Sequence, residues 1–93
     1  MEFWRDRRVL ELGSGCGLGG IAAAALGAEV VLTDIVTQQA EHNVRETFRN
    51  TGVVLPRVQR LRWGEAGDIE AAGKDGPFDV ILGGDVLYNK EVR

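Results

Sequence analysis

The sequence predicts an α/β fold, Rossmann-like and doubly wound, on a mainly parallel sheet. Three observations carry that expectation. Short apolar runs rich in Val, Ile and Leu recur along the 93 residues. Between them lie segments that are alanine-rich or have helical periodicity. Each run ends in glycine, aspartate or tryptophan. Such alternation implies parallel strands joined by right-handed crossovers.

Arg8 to Leu12 reads as the first strand, with Val9, Leu10 and Leu12 apolar and glycine directly after it. Residues 13–20 form a loop by their glycine content. Residues 21–26 are apolar and alanine-rich, as in a short helix packed on a sheet, with Gly27 as its stop. Residues 29–33 hold Val30, Val31 and Leu32, the pattern of a buried parallel strand, and end on Asp34. In residues 37–50, Ala40, Val44 and Phe48 recur on one helical face, while Glu41, Arg45, Glu46 and Arg49 lie elsewhere. Thr37 is the expected cap, Glu41 and Arg45 form an i,i+4 pair, His42 falls on the solvated face, and Gly52 follows the end.

Residues 57–62 alternate, as in a half-exposed strand at a sheet edge. Residues 65–77 read as loop with one helical turn at 69–72. Residues 78–82 read as another buried strand, ending in Gly83-Gly84-Asp85, and a helix is expected to start near Tyr88. No repeat or second domain is evident.

Composition narrows the function. Eleven Lys and Arg against 14 Asp and Glu give a net charge of −3, which argues against nonspecific nucleic-acid binding. The basic group Arg5, Arg7 and Arg8 is interrupted by Asp6 and reads as a solvated lead-in to the first strand. One cysteine, Cys16, allows no internal disulfide and fits a reducing compartment, the cytosol or nucleus. With one cysteine and one histidine, no Cys/His metal site is expected. The longest uncharged run, residues 12–28, carries six glycines and is too short for a membrane helix. The N-terminus has charges where a signal peptide is apolar.

Glycine is the clearest local signal. Five of the 13 fall between Gly13 and Gly20, directly after the first strand. There they allow a sharp turn and a close backbone approach, and the next helix N-terminus aims N–H groups at the same place. In open parallel sheets, ligands bind beyond the carboxyl ends of the strands. Asp34, 21 residues after Gly13, sits where a carboxylate accepts hydrogen bonds from ribose hydroxyls. These features point to a nucleoside-containing ligand.

Two registers fit. Gly15-x-Gly17-x-x-Gly20 has the form of a nicotinamide-dinucleotide motif. In the other, the run Val9-Leu10-Glu11-Leu12-Gly13-Ser14-Gly15-Cys16-Gly17-Leu18 resembles motif I of the class I, seven-strand S-adenosylmethionine-dependent methyltransferases. The carboxylate Glu11 belongs to that motif and not to the dinucleotide one. It suits a ligand with ammonium and sulfonium charges. Leu32-Thr33-Asp34, Trp63-Gly64 and the run from Phe78 to Tyr88 follow in order, and the chain is similar to the family-16 methyltransferase group, which contains many protein-lysine methyltransferases.

The resemblance implies a sheet of about four strands in the order 3-2-1-4, the amino-terminal cofactor-binding part of the seven-strand domain. It implies S-adenosyl-L-methionine as cofactor, with Gly13, Ser14 and Gly15 along its methionine and ribose part and Glu11 and Gly17 as further cofactor-binding residues. Asp34 would lie on the ribose hydroxyls, Trp63 against the adenine and Gly84 beside it. It implies a protein lysine as substrate, with Asp85 and Tyr88 of the D-x-x-Y signature as candidate catalytic residues at the substrate channel. A lysine must react as the neutral amine, and its solution pKa is about 10.4. Asp85 and an apolar channel would steer the cation in and favour proton loss by desolvation. Where the family has an acidic residue before the tryptophan, this chain has Arg62. A nicotinamide-dependent oxidoreductase and a non-catalytic cofactor-binding or interaction module remain the alternatives.

Overall fold

The computed structural model describes residues 3–83. Among these the element order is β1 (Arg8–Leu12), α1 (Leu18–Ala25), β2 (Glu29–Asp34), α2 (Gln38–Thr47), β3 (Arg57–Arg60), α3 (Ala66–Ala72) and β4 (Val80–Gly83). The four strands form one parallel sheet in the order β3-β2-β1-β4, as expected.

Register divides the sheet into two faces. Val9 pairs with Val30 and Val80, and Glu11 pairs with Leu32 and Leu82. Side chains alternate along a strand, so these residues share a face. On it α1 and α2 build the core from Ile21, Ala23, Ala24, Ala40, Val44 and Phe48 over Val9, Val30 and Leu32. Leu10, Val31 and Ile81 lie on the other face. A right-handed crossover from β3 back past β1 places α3 there. Among the described residues, β3 and β4 lie at the two ends of this order.

Several boundaries differ from expectation. Helix α1 begins at Leu18, not residue 21, so Gly19 and Gly20 lie within it. Helix α2 ends at Thr47 because Asn50 turns left-handed (φ 61°) and the Thr51 N–H and hydroxyl both donate to the Phe48 carbonyl. Thr37 stands at the N-cap position, but its hydroxyl donates to the Glu41 carboxylate at 3.2 Å in place of a backbone cap. Strand β3 stops at Arg60, and the Arg62 N–H is taken by Asp68.

The expected loop at 65–77 holds a seven-residue helix, α3. Its last carbonyls, Ala71 and Ala72, accept from the Arg57 guanidinium at 3.3 and 2.9 Å. A cation at a helix C-terminus satisfies orphan carbonyls and opposes the helix dipole. Strand β4 was expected to be buried from residue 78. Among the described residues it starts at Val80 and pairs with β1, and Ile81 is 62% exposed. Phe78 packs under the Arg8 guanidinium instead, 4.8 Å from ring centre to Cζ.

Candidate functional site

Chain direction across the sheet changes at β1. The chain runs from β1 outward through β2 to β3, then returns to β4 on the other flank of β1. That makes the carboxyl end of β1 the switch point where parallel sheets open a crevice. The glycine loop leaves the sheet there.

The loop is tied at several points. The Ser14 N–H donates to the Thr33 carbonyl at 2.9 Å. The Ser14 hydroxyl donates to the Glu11 carbonyl at 3.3 Å and accepts from the Thr33 N–H at 3.0 Å. The Thr33 hydroxyl also donates to the Glu11 carbonyl, at 2.7 Å. Ser14 and Thr33 are both buried, so these bonds are shielded from water. The chain then tightens through the Gly17 N–H on the Ser14 carbonyl at 2.8 Å. Gly17 caps α1 at φ 87°, a backbone state that side chains with a Cβ rarely adopt. A Cβ there would also meet Leu32 at 3.3 Å.

Asp34 closes the arrangement. One carboxylate oxygen accepts the Gly15 N–H at 2.7 Å, and the other accepts the Ile35 N–H at 2.6 Å. An ionised carboxylate offers about four acceptor positions. Two N–H bonds therefore leave capacity for a pair of vicinal hydroxyls.

The expected cofactor residues divide into two groups. Gly13, Gly15, Gly17 and Asp34 lie together on the rim. Ser14 is next to them, but its hydroxyl and N–H are used to stitch β1 to β2. Glu11 is 5% exposed and lies under α1, where its carboxylate accepts the Gly20 N–H at 3.1 Å. Trp63 stands just beyond β3, 61% exposed, with its indole available to a ligand. Gly84, Asp85 and Tyr88 lie outside the described residues.

On Arg62, the residue before Trp63, the structure places a carboxylate that the sequence pattern does not show. Asp68, in the first turn of α3, accepts from the Arg62 N–H at 2.9 Å and from the Arg62 side chain at 2.7 and 3.2 Å. The hydrogen bonds and charge of Arg62 hold the Asp68 carboxyl down at about 2 from its ordinary 3.8. Thr33 and Asn43 were also missed. Asn43 donates to the Cys16 carbonyl at 2.8 Å and so braces the loop from α2. Both residues were hidden in patterns already explained, Thr33 as a β-branched strand residue and Asn43 as part of a polar helix face.

A groove of about 390 Å³ lies at the opposite, amino-terminal end of the strands, lined in part by Asp6, Ala28, Glu29, Leu55 and Arg57. It is separate from the rim. Among the described residues, no helix is long and apolar enough to cross a membrane.

Comparison with known proteins agrees with this geometry. A family model described as lysine methyltransferase matches residues 2–92. Protein N-lysine methyltransferase METTL21A of Danio rerio is 39% identical over 89 residues, covering 94% of this chain and 39% of that protein. Histone-arginine methyltransferase METTL23 of Xenopus laevis is 40% identical over 88 residues, covering 89% of this chain and 35% of that protein. The crystal structure of magnesium protoporphyrin IX methyltransferase from Synechocystis PCC 6803, with bound SAH, superposes with a TM-score of 0.70 at 24% identity, covering 90% of this chain and 35% of that one. That likeness is one of fold. The chain spans a little over a third of the length of these relatives.

Proposed function

The chain belongs to the lysine methyltransferase family, and from that premise we propose that its rim binds S-adenosylmethionine and that the protein methylates a lysine side chain of a protein substrate. The observation that carries this reading is the union of the glycine loop and Asp34 at the switch point, through the 2.7 Å bond from the Gly15 N–H. The residues present suit the cofactor. Asp34 has acceptor capacity for the ribose hydroxyls, and the glycine loop offers a backbone approachable without side chains. The exposed Trp63 indole suits the adenine face. METTL21A of Danio rerio, by its name, acts on lysine, which supports the choice of substrate.

When bound, S-adenosylmethionine supplies an electrophilic methyl group on a sulfonium. The work left to this chain is alignment, because in-line displacement depends mainly on holding the reactants in place. Asp34 and the loop fix the nucleoside end. Asp85 and Tyr88 are proposed to admit the lysine and favour its neutral form by desolvation. The single cysteine supports a reducing compartment, the cytosol or nucleus.

Gly20 packs within α1 against the sheet, as the third glycine of either register would. The methyltransferase register is supported by Glu11, which the dinucleotide motif lacks and which here holds the Gly20 N–H, and by the family match. The test is transfer of isotopically labelled methyl from S-adenosylmethionine to lysine-containing proteins, with the modified residue identified by mass spectrometry. Label on lysine is expected. Label confined to arginine, which the Xenopus laevis relative's name makes a specific rival, would overturn the substrate assignment.

A further inference from the structure

Glu11 lies beneath α1. It shares the Val9 and Leu32 face of the sheet, which α1 covers, and does not project along the rim. Its carboxylate is buried and accepts the Gly20 N–H at 3.1 Å. Gly17, at the N-cap position of α1, has no side chain with which to cap the helix. The first turn of a helix has N–H groups without intrahelical partners and carries partial positive charge. A buried carboxylate in turn requires hydrogen-bond donors.

The two glycines above it are shaped to this seat. A Cβ at Gly19 would stand 2.7 Å from Glu11 Oε2. One at Gly20 would stand 3.0 Å from Glu11 Oε1 and 1.9 Å from Leu32 Cδ2. Both distances at 2.7 Å or less are closer than real Cβ atoms approach. The glycines within α1 therefore make room for a carboxylate and a leucine beneath the helix.

We propose that Glu11 is a positioning residue that caps α1 from below, through the neighbouring strand face, and thereby sets the position of the Gly15–Gly17 backbone at the cofactor. This inference rests on the reading that the rim binds S-adenosylmethionine. It assigns Glu11 to the loop, where the resemblance assigned it to the ligand's charges.

The test uses the full chain with Glu11→Gln and Glu11→Ala. Glutamine retains an oxygen that can accept the Gly20 N–H, whereas alanine does not. Calorimetry with S-adenosylhomocysteine and with 5′-methylthioadenosine, which lacks the amino-acid part, separates the roles. Positioning predicts that Glu11→Ala weakens both ligands alike, by about tenfold or more, the effect of losing a charged hydrogen bond. It also predicts that Glu11→Gln recovers part of that loss. Before ligand is added, the Gly15, Gly17 and Gly20 amide resonances should move in both variants. A loss confined to S-adenosylhomocysteine, equal in both variants and with unmoved loop amides, would overturn the proposal in favour of direct contact with the ligand's ammonium. Should the Glu11 variants not fold, Gly19→Ala carries both readouts, since it displaces the carboxylate while keeping its charge. If the unmodified chain binds neither ligand, the cofactor reading fails, and the amide shifts still decide whether Glu11 holds the loop.

Discussion

The Asp34 carboxylate accepts the Gly15 N–H at 2.7 Å, so the end of β2 and the loop after β1 form one hydrogen-bonded unit. The residue proposed to bind ribose also orders the backbone beside it. Replacing Asp34 therefore acts twice, by removing acceptors for the hydroxyls and by freeing the Gly15 peptide. Asp34→Asn is expected to shift the Gly15 amide resonance without ligand and to weaken S-adenosylhomocysteine by tenfold or more, on the scale of a charged hydrogen bond. Calorimetry and amide spectra check the two effects separately.

Glycines within helices should respond in opposite ways. Gly20→Ala places a Cβ 1.9 Å from Leu32 Cδ2 in the core. Overpacking of this kind costs about 1–3 kcal/mol, and the Gly20→Ala, Leu32→Ala pair should cost less than the sum of the single changes. At Gly67 in α3 nothing lies within 4 Å of the added atom. Gly67→Ala should instead stabilise by about 0.4–1 kcal/mol. Thermal unfolding of the variants measures both.

The Arg62–Asp68 pair sets an acid limit on the Trp63 corner. The Asp68 pKa is lowered from 3.8 to about 2, chiefly by the hydrogen bonds from Arg62. A carboxyl depressed in the folded state contributes stability above its unfolded pKa and loses it as pH falls through the folded value. The contribution should be intact above about pH 5 and lost progressively toward about pH 1, through the folded midpoint near 2. Carboxyl titration by NMR should find the Asp68 midpoint near 2, returning toward 3.8 in Arg62→Ala.

Trp63 is 61% exposed, so its side chain contributes little to the core. Trp63→Ala should leave the unfolding midpoint nearly unchanged and weaken S-adenosylhomocysteine several-fold, as expected for the loss of a stacking ring, worth about 0.5–1.5 kcal/mol. A substantial fall in stability with unchanged affinity would remove Trp63 from the site.

The parts of the fold that depend on neighbours in sequence were legible. The apolar runs marked β1 and β2, the four-residue recurrence of Ala40, Val44 and Phe48 marked α2, and Asp34 fell at a strand end where it could be read. What stayed hidden depends on contacts across the sequence. Gly19 and Gly20 looked like helix breakers because nothing local shows that Glu11 and Leu32 lie beneath them. Helix α3 looked like loop because its C-terminal cap, Arg57, comes from β3, 14 and 15 residues away. The carboxylate on Arg62 looked absent because Asp68 reaches Arg62 only after α3 folds back toward it.

Calorimetric titration of the chain with S-adenosylhomocysteine and, in parallel, with NAD tests the central claim most directly. Saturable binding of S-adenosylhomocysteine, its loss in Asp34→Ala, and no binding of NAD are the predicted results. Binding of NAD in preference, or S-adenosylhomocysteine binding indifferent to Asp34, would contradict the account.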